Sequence, residues 1–588
     1  MGRLLRFLPA AAIAVGLGYP IYLVLHAHAA SGGADSFPLD DAWIHLTYAR
    51  NLAQHGRFAY FPSDPTTAGS TSPLYTMLLS LGFLVTSHEK ALSYVLGLIC
   101  HGAFLVALAL WAQTRLRSAA WTALAVLLVA LDGRVGILAV AGMETSLFLL
   151  LVALAFLARI RRRPQFLGVA VGLAVWARPE GLILAGVLAL DGLLARAAGR
   201  AAPGSDPEPP LDWRRAAIPA GLLVLGWCAF NRLLGESFLP NTVAAKTTYY
   251  QPNPRGAFLR QVVAAFTGGG WIVLFPLAVG GIVREGVRLA RRRAGFLRAE
   301  AGWVLGLPLA FVLYLPFAHR FDRYLVPALP ALGLLGIAAA RDLARRLAAG
   351  GEGLTPGRLI AVTASVIALG LQAIFAAEGD RDYRTLCRYH LVRHERAGRW
   401  LAEHTPPGAV IATHDVGAIA FYSGRRIVDT VGVVLPEAVQ HLHSEGYFDY
   451  LRRLFARMGV THLAVLRDWL EVVNVEPLFT ADPEPEILEV FAWEPGRTHL
   501  LHPQAAQLNQ RAILAVSRGQ PSVAAQLLAA SLQTDRESSR TWLLLARTIW
   551  AMGRLEEAER ACREALARFP GWPEAQQVLA GIEAAKRR

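Results

Sequence analysis

Long apolar blocks recur along the first two thirds of this chain, and they constrain its fold more than any other feature. Each block has roughly the 20 apolar residues that a helix needs to cross the ~30 Å hydrocarbon core of a bilayer. Hydrophobic residues make up 54% of the 588 residues, a larger share than ordinary soluble proteins have. The sequence therefore predicts a mostly α-helical, polytopic membrane protein.

We predict about eleven membrane spans from the length of these blocks. They cover residues 7–27, 91–111, 118–133, 144–159, 165–178, 181–196, 214–232, 270–287, 302–317, 324–340 and 359–377. The shorter block from Pro73 to Val85 predicts a juxtamembrane or re-entrant helix packed on protein. The first block follows Arg3 and Arg6, which favours a retained anchor, with a cleavable signal peptide as the alternative.

The net charge of +14 does not indicate nucleic-acid binding, because the arginines cluster in short loops between apolar blocks. The positive-inside bias puts such loops in the cytoplasm. With the N-terminus inside, every arginine-rich loop falls inside: Arg115 and Arg117, Arg159 to Arg163, Arg196 to Arg215, Arg284 to Arg298, and Arg341 to Arg358. Abundant arginine with scarce lysine is typical of GC-rich bacteria. We therefore predict a bacterial inner-membrane protein whose C-terminal part is periplasmic.

The chain divides into three predicted domains: a transmembrane module over 1–377, a small periplasmic α/β domain over 378–500, and helical repeats over 501–588. The α/β pattern comprises a helix from Glu395 to His404, a strand from Ala409 to Thr413, and strands near Ile427 and Leu463. His414 and Asp415 follow the first strand, where a structural turn is favoured over a catalytic pair.

The C-terminal tail contains a pattern that resembles the tetratricopeptide repeat. The matching positions are Trp542, Leu545, Ala546, Gly553, Ala558, Ala565 and Pro570, and a shift by the 34-residue period finds Ala512, Gly519 and Ala524. Two helix pairs are few for a free solenoid, so we expect them to pack on the α/β domain. Such repeats ordinarily bind a protein partner.

Two adjacent acids open the first outer loop. Asp40 and Asp41 begin the stretch Leu39 to Leu52, where apolar residues at helical spacing predict an amphipathic helix at the membrane surface. One carboxylate could cap this helix. A carboxylate at this place is also what a general base needs to accept a proton from an acceptor hydroxyl. The residues alone leave both interpretations open.

Further acids and cations fall on the same predicted outer face. They are Glu144, Arg178, Glu180, Asn241, Lys246, Arg320 and Arg323. Each alone is compatible with an interfacial anchor at the end of a span. Together they predict an outer cavity whose cations bind a lipid phosphate, with arginine as a bidentate fork and lysine as a point charge. No His/Cys metal-binding pattern is present.

The order of these motifs resembles one branch of the GT-C glycosyltransferases, that of the mycobacterial terminal arabinofuranosyltransferases. The resemblance covers about residues 35–435 and rests on DDAWIHLTYARNLAQHG, GSTSPLYTMLL, GMETSLF, ARPEGL, LPNTVAAK and RYLVPALP. It implies a GT-C-type bundle and inverting transfer of a sugar from a polyprenyl-phosphate donor to a glycan, lipid or protein acceptor of the cell envelope. The family's acid corresponds to Asp40, with Asp41 beside it, and its donor-phosphate cations correspond to Arg178, Lys246 and Arg323.

One motif departs from the family. Relatives commonly have an acid and an aromatic residue where this chain has Ala68-Gly69-Ser70-Thr71-Ser72, so the sugar, a pentose such as arabinofuranose or another, stays open. No cofactor is certain, and a divalent cation that bridges acids and phosphate is an open alternative. The alternative functions are an O-antigen-ligase-like transferase and a transporter or scaffold that works through its repeats. The motif order argues against the ligase-like transferase, and span centres almost free of charge argue against a transporter. A scaffold would leave Asp40, Asp41 and the predicted outer cations unexplained.

Overall fold

The computed structural model describes residues 4–199, 211–235, 237–249, 254–291, 297–347, 355–481 and 486–588. These residues form two compact units. The first comprises Met1–Leu391 and Gly432–Val439, and the second comprises Val392–Val431 and Gln440–Arg588. The predicted division into three domains remains a prediction, whereas the mostly helical class is confirmed.

The first unit is built from helices. They are α1 (Leu8–Ala30), α2 (Asp41–His55), α3 (Pro73–Phe83), α4 (Glu89–Leu116), α5 (Ala119–Ala130), α6 (Gly133–Ala139), α7 (Thr145–Ile160), α8 (Pro164–Ala177), α9 (Gly181–Gly199), α10 (Trp213–Gly235), α11 (Asn241–Tyr249), α12 (Arg255–Thr267), α13 (Trp271–Ala290), α14 (Arg298–Tyr314), α15 (Leu329–Leu347) and α16 (Pro356–His390).

Several of these helices are long and apolar enough to cross a membrane. In the described residues there are 5 such segments, or up to 7 if each of two bent helix pairs counts as one span. The chain is therefore a multi-pass membrane protein, although the predicted count of eleven spans is not confirmed. The α5–α6 pair bends by 69°, where Asp132 caps α6 by accepting hydrogen bonds from the backbone N–H groups of Arg134 and Val135.

Helix α2 differs from the predicted surface helix. Its apolar residues are buried, but so are polar residues on the other faces, including His45, Thr47 and Asn51. Asn51 donates hydrogen bonds of 2.9 Å to the carbonyl oxygens of Ala59 and Tyr60 in the following loop. Because its polar side chains find partners within the protein, α2 is an internal element of the unit instead of an amphipathic helix with one exposed face.

The arginines of the predicted cytoplasmic loops meet at one end of the helices. Arg159, at the end of α7, pairs with Asp191 of α9. The same carboxylate accepts a 2.6 Å bond from Arg298 at the start of α14. Arg115, at the end of α4, pairs with Glu300 of α14 at 2.7 Å. Buried charges of this kind must be paired to be tolerated, so these contacts fix how the loop ends of four helices join.

The second unit contains a five-stranded sheet in the order β2-β1-β3-β6-β5 and a two-stranded sheet β4-β7. Its strands are β1 (Val410–Thr413), β2 (Arg426–Asp429), β3 (His462–Leu466), β4 (Val472–Val473), β5 (Phe479–Thr480), β6 (Leu488–Ala492) and β7 (His499–Leu500). Strand β1 pairs in parallel with β2 and β3, and β6 is antiparallel to β3 and β5. The predicted strands at Ile427 and Leu463 are confirmed.

Helices complete the second unit. They are α17 (Arg396–His404), α18 (Gly417–Ser423), α19 (Tyr447–Met458), α20 (Pro503–Ser517), α21 (Pro521–Thr534), α22 (Ser539–Ala551), α23 (Leu555–Arg568) and α24 (Pro573–Lys586). Gly519 and Gly553 occupy equivalent turns between successive helices, with φ of 71° and 78°. Glycine adopts this left-handed backbone without steric cost, which explains why both turns of the 34-residue period carry it.

One asparagine amide is among the contacts that join the repeats to the α/β part. Asn474, just after β4, donates a 2.8 Å hydrogen bond to the carbonyl of Glu537, and its own oxygen accepts one of 2.9 Å from the backbone N–H of Ser539. Both ends of the amide are thus used at the start of α22. The predicted packing of the repeats on the α/β part is confirmed.

Candidate functional site

A cavity of ≈ 290 Å³ lies in the first unit. Its walls combine apolar side chains with a small set of charged ones, and the lining residues are Thr71, Glu144, Arg178, Pro179, Glu180, Leu182, Ile183, Leu239, Thr242, Val243, Lys246, Ala310, Phe311, Tyr314, Leu315, Arg323 and Tyr324. A mostly apolar cavity with few polar groups is typical of a ligand site. Five residues of the sequence-predicted set line it.

The ring of Tyr324 is surrounded by the cations of the cavity. Its centroid lies 5.1 Å from the guanidinium of Arg178, 5.5 Å from that of Arg323 and 5.9 Å from the ammonium of Lys246. The ring of Phe311 stacks on that of Tyr324, with centroids 5.0 Å apart. Cations near an aromatic ring are stabilised by its quadrupole, so Tyr324 lowers the cost of holding three positive charges together.

Arg178 is already neutralised by carboxylates. Its guanidinium lies 3.2 Å from Glu144 and 2.6 Å from Glu180, and all three side chains are largely buried. A buried arginine between two acids adds little positive charge for a ligand. Arg178 therefore holds the two acids at the cavity wall, and the other two cations carry the positive potential.

Arg323 keeps part of its hydrogen-bonding capacity unused. Its Nη2 donates a 2.6 Å hydrogen bond to Asp41, whereas its Nε and Nη1 are buried and have no hydrogen-bond partner among the described residues. The residue is 1% exposed. A buried donor without a partner costs free energy, and an anionic ligand in the cavity would supply the missing acceptor.

Lys246 is the second cation that can contact an anionic ligand. It projects from α11 into the cavity lining, and it forms no ion pair within the part of the chain that the structure describes. An ammonium group has three donors on a flexible stem. Lys246 and Arg323 together can therefore bind one phosphate-sized anion at the polar end of an otherwise apolar cavity.

One face of α2 reaches these residues. Asp41 contacts Arg323, and His45, four residues later and hence on the same face, has its Nε2 3.3 Å from Glu144. The Nδ1 of His45 lies 3.1 Å from the hydroxyl of Ser70 and 3.2 Å from that of Thr76. The sequence analysis missed His45, although its spacing from Asp41 was the available signal.

Gly142 allows α2 to approach Glu144 closely. Its φ is 70°, and a Cβ at this position would lie 2.7 Å from the Cβ of Ala42. The motif Gly142-Met143-Glu144 thus has a steric reason for its glycine: it lets the turn before α7 place Glu144 against α2.

The surroundings of Asp41 decide its protonation. Burial alone would raise the pKa of its carboxyl, but the positive charges of Arg323 and Lys246 outweigh burial and hold the pKa well below its usual range. The pKa of the His319 imidazole is also lowered, by burial and by the nearby Arg323 charge. For an imidazole, a lowered pKa favours the neutral form. At neutral pH the site therefore contains a carboxylate on Asp41 and an uncharged His319.

Three predicted residues are placed differently. Asp40 is half-buried at the N-cap position of α2, makes no capping hydrogen bond with the described residues of the helix, and is not among the lining residues of the cavity. Arg320 is exposed. The side chain of Asn241 lies outside the described residues, although its backbone begins α11.

No three His, Cys, Asp or Glu side chains in the described residues converge in a way that could hold a metal ion. The acid nearest to the spare cations, Asp41, is bonded to Arg323, whose guanidinium already supplies the positive charge that a metal would bring. The residues present do not fit a divalent cation.

The turn after β1 holds His414 and Asp415. The carboxylate of Asp415 lies 2.8 Å from His394 Nε2 and 3.4 Å from His414 Nε2, and the imidazole of His414 stacks on Trp469 with centroids 5.2 Å apart. Burial lowers the pKa of His414. These contacts join the turn to neighbouring elements, which is consistent with a structural turn.

A second cavity, of ≈ 320 Å³, lies between the sheet and the repeats. It also contains arginines, but each is paired: Arg467 with Glu489, and Arg547 with Glu574 at 2.8 Å. Arg540 is bonded to Glu471 at 3.0 Å. Within the described residues, the cavity in the first unit therefore differs from this one by the ammonium of Lys246 and the unpartnered donors of Arg323.

Comparison with solved structures gives the fold of the chain. The archaeal oligosaccharyltransferase AglB from Archaeoglobus fulgidus, in complex with an inhibitory peptide and a dolichol-phosphate, has a TM-score of 0.52 and 13% identity, covering 78% of this chain and 69% of that one. ArnT from Cupriavidus metallidurans, bound to undecaprenyl phosphate, has a TM-score of 0.52 and 15% identity, and the match covers 83% of this chain and 98% of that one.

Family models match only the C-terminal part. A domain of unknown function, DUF8728, matches residues 382–519, and a tetratricopeptide repeat model matches residues 515–582. A comparison with curated proteins finds no match. The structural similarity, at these low identities, concerns the fold: the chain has the GT-C glycosyltransferase fold with tetratricopeptide repeats at its C-terminal end.

Proposed function

We propose that the protein is an inverting glycosyltransferase that moves a sugar from a polyprenyl-phosphate donor to a cell-envelope acceptor. The observation that supports this most is the cavity in which Lys246 and the unpartnered donors of Arg323 meet apolar walls. A prenyl chain needs such walls, and its phosphate needs such cations. The solved structures of the same fold that contain dolichol-phosphate or undecaprenyl phosphate support the same ligand class.

The proposed reaction is one displacement. The oxygen of an acceptor hydroxyl attacks the anomeric carbon from the face opposite the phosphate, and the bond between that carbon and the phosphate oxygen breaks. Asp40, as the sequence resemblance implies, accepts the hydroxyl proton. Polyprenyl phosphate leaves, and Lys246 and Arg323 stabilise its growing negative charge.

We place this chemistry on the periplasmic face. Helix α7 begins next to Glu144 at the cavity and ends at Arg159 among the arginine pairs, about 22 Å away at the α-helical rise. Helix α15 likewise follows Tyr324 and ends beyond Arg341. Because arginine-rich loops favour the cytoplasm, the cavity belongs to the opposite side. Reporter fusions after Arg163 and Arg215 should report cytoplasm, and a fusion after Arg588 should report periplasm.

Transfer itself tests the function. The full-length protein, purified in detergent, is incubated with a panel of synthetic polyprenyl-phosphate sugars, and release of polyprenyl phosphate is measured with and without envelope extract as the acceptor source. We expect acceptor-dependent release from at least one donor. An absence of release from every pentose and hexose donor, by a protein that binds polyprenyl phosphate, would contradict the proposed reaction.

A further inference from the structure

The segment that carries Arg323 has an unusual backbone. His319, Phe321 and Asp322 have φ of 61°, 58° and 47°, in the left-handed region that residues other than glycine rarely adopt. Such a conformation persists only where the surrounding structure holds it, and it occurs often at ligand-binding sites. Something outside the segment must therefore fix it.

Arg134 provides that external contact. Its Nη1 donates a 2.8 Å hydrogen bond to the carboxylate of Asp322 and one of 2.9 Å to the carbonyl of Ala265. Its Nε and Nη2 donate bonds of 3.0 Å and 2.7 Å to Asp132. The planar fork of arginine suits this bridging role, because its Nε, Nη1 and Nη2 donors point in fixed and different directions.

Asp132 is itself fixed. It is fully buried, and it accepts a further 2.7 Å hydrogen bond from the indole N–H of Trp271 on α13. The guanidinium of Arg134 also lies 5.2 Å from the ring of Phe375 on α16. The anchor for the strained segment thus combines side chains at the start of α6 and on α13 and α16 with a backbone carbonyl of α12, and these contacts hold Arg134 in place.

Asp322 passes this restraint to its neighbour. Its backbone carbonyl accepts a 2.7 Å bond from the N–H of Leu325, and its own N–H donates to the carbonyl of His319 at 3.1 Å. Arg323 lies between these bonds, next to Asp322 in sequence, with two guanidinium donors unpartnered in the cavity wall. The position of the pair Arg134–Asp322 therefore determines where those donors are held.

We propose that Arg134 is a positioning residue: through Asp322 it holds the left-handed segment so that Arg323 keeps two donors available for the lipid phosphate. This inference rests on the proposed function for the identity of the anion. It adds two residues, Arg134 and Asp322, that do not line the cavity. A loss of the pair is expected to loosen the segment and to weaken binding.

Asp322→Asn isolates this effect. Asparagine has nearly the same size and tolerates left-handed backbone, so the substitution removes the charge of the pair and little else. Asp322→Gly is the second variant, because glycine relieves the backbone strain while it also removes the pair. Asp342→Asn is the matched control: the Asp342 side chain is 33% exposed against 28% for Asp322, and the substitution breaks its 2.7 Å pair with Arg284 and its 3.3 Å pair with Arg341 at the arginine-rich ends of the helices.

Two measurements on the full-length protein decide the matter. Hydrogen exchange over residues 319–325 reports the segment, and titration with undecaprenyl phosphate reports binding. We expect faster exchange and an at least ~10-fold higher Kd in both Asp322 variants, with wild-type values in Asp342→Asn. Unchanged exchange, or faster exchange with unchanged Kd, would overturn the positioning role. If the wild-type protein does not bind the probe, the proposed function fails, and exchange alone shows whether the pair holds the segment.

Discussion

The Nη2 of Arg323 donates a 2.6 Å hydrogen bond to the carboxylate of Asp41, and this contact joins the start of α2 to the segment before α15 across 282 positions of sequence. Asp41 uses one part of the guanidinium and leaves Nε and Nη1 unpartnered. The acid thus orients the cation without neutralising all of its donors. One guanidinium can therefore bond a fixed acid and an anionic ligand at the same time.

Arg323→Ala should weaken the binding of undecaprenyl phosphate by at least ~10-fold, because a charge-assisted hydrogen bond to phosphate is lost. Arg320→Ala is the control, since Arg320 carries the same charge three residues away but is exposed and does not line the cavity. Titration of both variants in detergent at two salt concentrations checks this. Equal weakening by both substitutions would mean that general surface charge, and not the cavity, attracts the lipid.

Lys246→Ala should weaken donor binding and slow transfer together, since the ammonium contacts the phosphate both before and after the sugar leaves. Lys246→Arg should keep most of the binding because it keeps the charge.

Arg178→Lys should behave differently: it should mainly lower the melting temperature, because Arg178 is held between Glu144 and Glu180 and lysine cannot bond both acids as a fork. The measurements are Kd and turnover with one donor, and thermal melts in detergent.

Much of this architecture follows from local sequence. Apolar blocks predict the helices, a 34-residue period predicts the repeats, and short alternating runs predict strands β1 to β3. The positions of Glu144, Arg178 and Lys246 at predicted span ends were enough to propose a shared cavity, and all three residues line one cavity of the structure. These features are readable because each depends on residues close together along the chain.

The remaining features depend on pairings that sequence spacing does not reveal. His45 faces Glu144, and Arg134 faces Asp322, across 99 and 188 positions. Helix α2 was expected to expose its polar face, yet that face is buried because Asn51 bonds the loop that follows the helix and His45 contacts Ser70 and Glu144. The sequence alone does not show such partners. The sequence-based prediction was therefore wrong about the burial of the polar side chains of α2.

Asp40→Asn and Asp41→Asn should affect different kinetic constants. Side chains of adjacent helical residues point about 100° apart, and Asp41 is bonded to Arg323. We expect Asp40→Asn to reduce turnover by at least ~10²-fold with unchanged donor binding, because it removes the proton acceptor. Asp41→Asn should instead raise the KM for the donor, because Arg323 loses the acid that orients it. The assay is transfer from a polyprenyl-phosphate sugar, with thermal melts as the folding control.

If Asp40→Asn turns over normally and Asp41→Asn does not turn over, the assignment of the base by family resemblance is wrong, and Asp41 or Glu144 takes that role. Glu144→Gln distinguishes these two acids. It keeps the size of the side chain and a hydrogen bond to His45, so a large loss of turnover with retained donor binding would identify Glu144 as the acid in contact with the acceptor.

The pH dependence of stability tests the charge state of Asp41. The pKa of its carboxyl in the folded protein lies below the value of about 3.9 for an unfolded chain. Its ion pair therefore stabilises the fold at every pH above about 3.9, and this stabilisation is lost as the pH falls further towards the depressed pKa. The difference in melting temperature between wild type and Asp41→Asn should then be constant from about pH 9 to 5.

The expected difference corresponds to about 1–2 kcal/mol, less than the ~3–5 kcal/mol for breaking a fully buried pair, because the side chain of Asp41 is 36% exposed. Thermal melts in detergent across this pH range, with Arg320→Ala as a variant that leaves the pair intact, provide the measurement. A difference that shrinks between pH 7 and 5 would mean that Asp41 titrates near the usual carboxyl range. In that case Arg323 does not hold it ionised, and the division of the guanidinium between acid and phosphate is excluded.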